Sequence, residues 1–169
     1  MQNIILTGFM GTGKSSVGKA LARMSTRDIL DLDALIVKKA GRSINEIFAQ
    51  DGEPFFRALE SGELRKLAEH HGNFILATGG GAVLAPENQD IFRKLGVVVN
   101  LTASPEIICD RLRHVTDRPL LNDGLAQEKI ATMLREREPC YACADIRIDT
   151  VGKKIEDIAA EILMFLDQC

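Results

Sequence analysis

Short apolar runs along the chain alternate with longer stretches in which apolar residues recur at helical spacing, a rhythm that predicts a parallel sheet with crossover helices. The predicted strands are Asn3–Thr7, Ile29–Leu32, Phe74–Thr78, Val97–Leu101 and Ile146–Ile148. Most are rich in Val and Ile and apolar throughout, as expected where helices cover both faces of a sheet. Ile155, Ile158, Ala159, Ile162, Leu163 and Leu166 fall on one stripe and mark the clearest helix. Further helices are predicted over Lys14–Met24, Glu53–His71, Pro86–Leu95, Pro105–His114 and Leu125–Glu138, with Pro86 and Pro105 suited to first turns. The fold class is therefore α/β, in a single domain over residues 1–169. Two stretches leave the alternation and are expected to be moving parts. One is Asp33–Ser61, with Gly41, Gly52 and Pro54; the other is Arg113–Gly124, polar around Asp117-Arg118-Pro119.

Composition removes several alternatives. At 169 residues the chain is long enough to bury a core without metal or disulfide staples. Hydrophobic residues make up 46%, too many for a disordered chain, and no apolar run reaches the roughly 18 residues of a membrane span. The opening apolar stretch has no basic segment ahead of it and meets Gly8, which reads as a strand and not a signal peptide. Against 24 Asp plus Glu stand 21 Lys plus Arg, for a net charge of -3, so a broad basic surface for nucleic acid is not expected. Cys109, Cys140, Cys143 and Cys169 read as ordinary reduced thiols in a cytoplasmic protein. Cys140 and Cys143 form C-x-x-C but lack the second pair or nearby His of a zinc site.

The strongest chemical signal is Gly8-Phe9-Met10-Gly11-Thr12-Gly13-Lys14-Ser15, which fits G-x-x-x-x-G-K-[ST] and lies between a predicted strand and a predicted helix. Its glycines let backbone N–H groups converge on phosphate oxygens, and the following helix adds the positive end of its dipole. Gly11, Thr12, Gly13, Lys14, Ser15 and Ser16 are the expected nucleotide-binding residues. Lys14 would reach the terminal phosphates, and the Ser15 hydroxyl would face Mg²⁺. GTPases, ATP-driven machines and small-molecule kinases all share this loop; a chain this short favours the kinase.

On the acceptor side, Asp31-Leu32-Asp33 closes the second predicted strand, where alternation would put both carboxylates on one side. Asp31 would then hold metal-bound water, and Asp33 would accept a hydrogen bond from a substrate hydroxyl. Thr78-Gly79-Gly80-Gly81-Ala82 follows the third strand and offers a backbone that can approach a ligand closely.

Taken together, these blocks resemble the shikimate kinase family over nearly the whole chain. The resemblance rests on Gly8–Ser15, Asp31-Leu32-Asp33, Gly52-Glu53-Pro54-Phe55-Phe56-Arg57 with Glu60, Thr78-Gly79-Gly80-Gly81 and Arg118-Pro119-Leu120-Leu121. A sixth block, Arg137-Glu138-Pro139-Cys140-Tyr141, is similar to the family's R-x-P-x-Y ending. The resemblance implies a nucleoside-monophosphate-kinase-like P-loop fold whose five parallel strands run in the order 2-3-1-4-5. It also implies ATP-dependent, Mg²⁺-assisted phosphorylation of the 3-hydroxyl of shikimate, in aromatic amino acid biosynthesis. By matching motif, Asp33, Arg57, Gly79, Gly80, Gly81 and Arg137 would hold shikimate in an acceptor lobe over residues 33–61 and its neighbours. Arg118, on a lid over residues 113–124, would reach the transferring phosphate, and Arg111 matches the arginine that stacks on adenine. Lys14, Asp33 and Arg118 are thus the expected catalytic residues, and Ser15 and Asp31 the expected metal contacts.

Ser25-Thr26 stands where the family usually has Leu-Gly, and Val37 where an acidic residue is common. Two arginines can grip a planar carboxylate with paired N–H donors, which Lys cannot reproduce. Shikimate and ATP are the expected partners of a monomer, with no nucleic acid or membrane. Phe48, Phe55 and Phe56 are expected to pack the acceptor lobe, and His70, His71 and His114 to face solvent.

Overall fold

A computed structural model of the chain describes residues 2–69, 72–113 and 126–168. Its strands are β1 (Asn3–Thr7), β2 (Asp28–Asp31), β3 (Phe74–Ala77), β4 (Gly96–Thr102) and β5 (Ile146–Asp149). They form one parallel sheet in the order β2-β3-β1-β4-β5, as the resemblance implied. The helices are α1 (Lys14–Met24), α2 (Leu32–Ala40), α3 (Ile44–Ala68), α4 (Pro86–Leu95), α5 (Pro105–Leu112), α6 (Ala126–Tyr141) and α7 (Ile155–Leu166), with a short 3₁₀ turn at Ala82–Leu84.

The central strands are buried on both faces, which explains their unbroken apolar character. From β1, Ile4 and Leu6 pack with Val17, Leu21, Ile158 and Ile162 under α1 and α7. Ile5 points the other way, into a cluster with Leu32, Ile36, Ile47, Phe56, Leu64 and Phe92. Each such side chain, fully removed from water, contributes about 1.5–3 kcal/mol. The phosphate loop, the Asp31–Asp33 turn and the Gly79–Gly81 segment lie at or just beyond the carboxyl ends of β1, β2 and β3, where open α/β sheets bind ligands.

Residues 33–61 are mostly helical, carried by α2 and the first part of α3 with a short turn between them. Leu32 and Ile36, four apart and fully buried, seat α2 on the sheet, and Gly41 (φ 66°) ends it in a left-handed turn. Ser43 and Glu46 form a capping box at the start of α3. At Gly52 the backbone leaves helical geometry (φ 80°, ψ 173°), so α3 is kinked there, and its second half starts at the predicted Glu53. Pro54 is tolerated because it lies in the first turn after the break, where its missing N–H has no helical acceptor.

The second strand is one place where the expectation fails. Leu32 is not a strand residue; it opens α2, and the Asp31 side chain caps that helix by accepting from Ala34 N at 3.1 Å. Asp31 therefore ends β2 and Asp33 lies in the first turn of α2, so β alternation does not place the two carboxylates on one side. At the other end, α6 continues past the predicted stop at Glu138 to Tyr141, because a proline in a last turn removes only one helical hydrogen bond. His70, His71, His114, Cys169 and all but Arg113 of the lid expected over 113–124, Arg118 included, lie outside the described residues. Among the described residues no helix is long and apolar enough to cross a membrane, and Cys109, Cys140 and Cys143 are free thiols.

Candidate active site

The phosphate loop leaves β1 at Thr7 through Gly8, whose φ of 140° and contact with the Leu101 carbonyl exclude a side chain. Gly13 (φ 94°) precedes α1, and no side chain caps that helix. The amides of its first turn have no intrahelical acceptor, so they and the helix dipole favour an anion at this end of the helix. The Thr12 hydroxyl donates to the Phe9 carbonyl at 2.8 Å and tightens the loop. Lys14 is 9% exposed, and its ammonium donates to the Gly8 and Phe9 carbonyls at 2.8 and 2.9 Å, which holds it over the loop. Ser16 is exposed in the same turn. Arg111 fastens the loop from outside, donating to the Gly11 carbonyl at 3.1 Å and to the Thr150 hydroxyl at 3.0 Å.

Ser15 donates to Asp31 Oδ2 at 3.2 Å, while Asp31 Oδ1 serves the α2 cap. A hydroxyl and a carboxylate are thereby set side by side next to the loop, the oxygen donors that a hard divalent cation takes.

The acceptor half is organised by the Gly79–Gly81 segment, and each glycine is required by a different neighbour. A Cβ on Gly79 would lie 2.9 Å from Asp33 Oδ1 and 3.1 Å from Glu60 Oε1. One on Gly80 would lie 3.0 Å from the Met10 amide nitrogen of the phosphate loop, and one on Gly81 would overlap the Arg57 guanidinium. None of the three has positive φ, so close approach and not backbone freedom selects glycine here.

Arg57 donates from Nη1 to Glu60 Oε2 at 2.9 Å, and from Nε and Nη2 to Glu53 Oε1 at 3.2 and 3.0 Å. Burial opposes its charge, but Glu60 and Glu53 outweigh that and hold its pKa above the usual arginine value. Glu60 is fully buried. Burial pushes its carboxyl above the ordinary range, with Asp33 and Glu53 adding to the rise and Arg57 opposing it. Its Oε1 is buried without a hydrogen-bond partner among the described residues. Arg137 comes from α6 and lies over the Phe9 ring of the phosphate loop, 5.5 Å from the ring centroid. Phe56 is buried, whereas Phe48 and Phe55 are exposed at 39% and 43%; Phe48 still packs on Phe56, with centroids 4.9 Å apart.

The structure thus gathers Lys14, Ser15, Asp31, Asp33, Arg57, Gly79–Gly81 and, across Phe9, Arg137. Sequence reasoning gave Glu60 no role beyond its place in a motif. Its signal lay in the spacing Phe56, Glu60, Leu64, one helical face on which an acid stands between two core residues, three positions after an arginine.

A family model described as shikimate kinase matches residues 10–167. Among similar proteins is a shikimate kinase of Geobacter metallireducens, 56% identical over 167 residues that cover 99% of this chain and 93% of that protein. A solved shikimate kinase from Acinetobacter baumannii, in complex with shikimate, superposes with a TM-score of 0.93 at 35% identity, covering 99% of this chain and 94% of that one. The shikimate kinase of Aquifex aeolicus gives a TM-score of 0.85 at 34% identity, covering 98% and 96%.

Proposed function

This chain belongs to the shikimate kinase family, and on that premise we propose that it transfers the γ-phosphoryl group of ATP to the 3-hydroxyl of shikimate, giving shikimate 3-phosphate and ADP. The observation that carries the reading is the Gly79–Gly81 segment, which has Asp33, Glu60 and Arg57 on one side and the phosphate-loop backbone on the other. An acceptor seated there lies between a carboxylate that can orient a hydroxyl and a loop that presents phosphate.

Phosphoryl transfer needs positioning and charge stabilisation more than covalent assistance. In this reading the loop amides and Lys14 hold the triphosphate, and Lys14 stabilises charge that develops on the transferring group. Asp33 accepts the hydrogen bond of the attacking hydroxyl and aims it at the γ-phosphorus. Arg57 and Arg137 grip the carboxylate of the acceptor, and Glu60 and Glu53 keep the Arg57 fork in place. Ser15 and Asp31 suit Mg²⁺, which when bound neutralises phosphate charge. By the family resemblance, Arg118 reaches the transferring phosphate, Arg111 stacks on adenine, and the lid excludes water whose attack would waste ATP.

Among the described residues the free thiols Cys109, Cys140 and Cys143 suit the reducing cytoplasm, and shikimate and ATP are the partners in this reading.

The test is an ADP-release assay of the purified protein with ATP and Mg²⁺. ADP should appear in step with shikimate consumed. Equal release without shikimate, or with gluconate in its place, would refute the assignment.

A further inference from the structure

At the acceptor site the Tyr141 hydroxyl is a buried polar group to which the proposed mechanism gives no part. Tyr141 is the last residue of α6, 4% exposed, and its hydroxyl donates to the Gly80 carbonyl at 2.6 Å. A phenol has a single proton to donate; with that committed to Gly80, its oxygen can still accept. Arg137 lies one helical turn earlier on α6, over the Phe9 ring of the phosphate loop. The Tyr141 O–H thus links the end of α6 to the Gly79–Gly81 segment. Gly80 is itself in close approach to the Met10 amide of the phosphate loop, and Gly81 to Arg57.

We infer that Tyr141 is a positioning residue: its hydroxyl ties the Gly79–Gly81 segment, against which Arg57 packs, to α6, which carries Arg137, and so fixes the spacing between the two arginines that hold the acceptor carboxylate. Burial pushes the phenol up to about 12, although Arg137 and Arg57 favour ionisation, so the hydroxyl keeps its proton, and its donor role, at neutral pH. The end of α6 has a separate anchor. Arg147 grips Glu138 with two N–H donors at 2.6 and 3.1 Å. Removing only the hydroxyl therefore leaves the helix seated and the ring packed in the core.

The assignment rests on the functional reading above, and a double-mutant cycle read by shikimate KM tests it. Tyr141→Phe should raise the shikimate KM by about tenfold, the loss expected of one charge-assisted hydrogen bond. The KM for ATP should stay within about twofold of wild type, and the melting temperature nearly unchanged. In an Arg137→Ala background there is no second arginine for that spacing to serve, so adding Tyr141→Phe should change the shikimate KM by less than about threefold. An unchanged shikimate KM in Tyr141→Phe overturns the assignment, as does an equal fold-effect in both backgrounds, which is what a merely structural tyrosine would give. Wild-type protein that leaves shikimate unphosphorylated overturns the functional reading first and this assignment with it.

Discussion

A methyl group at position 81 probes the acceptor grip without touching the backbone. Gly81 sits at φ -105° and ψ 0°, a conformation open to any L-residue, so Gly81→Ala carries no intrinsic backbone strain. The new Cβ would overlap Arg57 Nη2 and lie 2.9 Å from both Cζ and Nη1. Ordinary contacts begin near 3.5 Å, so the guanidinium must retreat by about 0.6 Å or more. It has little freedom to do so, since Glu60 and Glu53 hold it at 2.9 to 3.2 Å and Glu60 is fully buried. Displacement weakens one charge-assisted interaction with the acceptor, about 1.5–3 kcal/mol, or roughly 10- to 150-fold in affinity. A coupled ADP assay should therefore give a shikimate KM raised by about that factor, with the ATP KM within about twofold, because it is Gly80 and not Gly81 that abuts the phosphate loop. Gly62→Ala in α3, where a Cβ meets nothing within 4 Å, is the control and should leave both constants unchanged. A shikimate KM within twofold of wild type in Gly81→Ala would show that Arg57 does not grip the acceptor from this position.

Two further outcomes follow from other parts of the molecule. Lys14→Met should lower kcat by about 10²-fold or more, the cost of removing a preorganised donor to developing charge, and steady-state turnover near wild type would remove Lys14 from that role. Glu63 of α3 pairs with Lys39 of α2 at 2.7 Å and with Lys66 of its own helix at 3.0 Å; partial burial opposes its charge, but the two lysines outweigh it and hold its carboxyl below the ordinary 4.5. A lowered folded pKa gives stability that is present above the unfolded value and lost as pH falls through the folded one. Calorimetry should then find Glu63→Gln less stable than wild type at pH 7, with the gap closing below about pH 4.5; a gap independent of pH would contradict the ion-pair account.

The sheet and the phosphate loop are readable in the sequence because each rests on local rules. Continuous Val and Ile runs demand burial on two faces, and a glycine-rich turn between strand and helix has few other uses. The stretch from Asp33 to Ser61 is harder, since its glycines and proline suggest a loop. The cues to helix are nonetheless present in Leu32 with Ile36, in Gly41 as a C-cap and in Ser43 with Glu46 as a capping box. Asp31 misleads because a short acid at a strand end serves equally as the N-cap of a following helix, and only the chain's turn decides between them. Glu60 and Tyr141 lie further out of reach. Their importance comes from what tertiary packing sets beside them, Asp33 and Gly79 for one and Gly80 for the other, and no spacing rule states that a glycine carbonyl will meet a phenol 61 residues away.

The central claim is that one pocket clasps the carboxylate of a cyclic acid between arginines and turns its hydroxyl toward a phosphate. A crystal structure with ADP, Mg²⁺ and shikimate tests this most directly. The account predicts the shikimate carboxylate on Arg57 and Arg137, with the 3-hydroxyl hydrogen-bonded to Asp33 on the side that faces Lys14. Shikimate bound with its carboxylate away from both guanidiniums, or its 3-hydroxyl turned away from the terminal phosphate of the nucleotide, would contradict it.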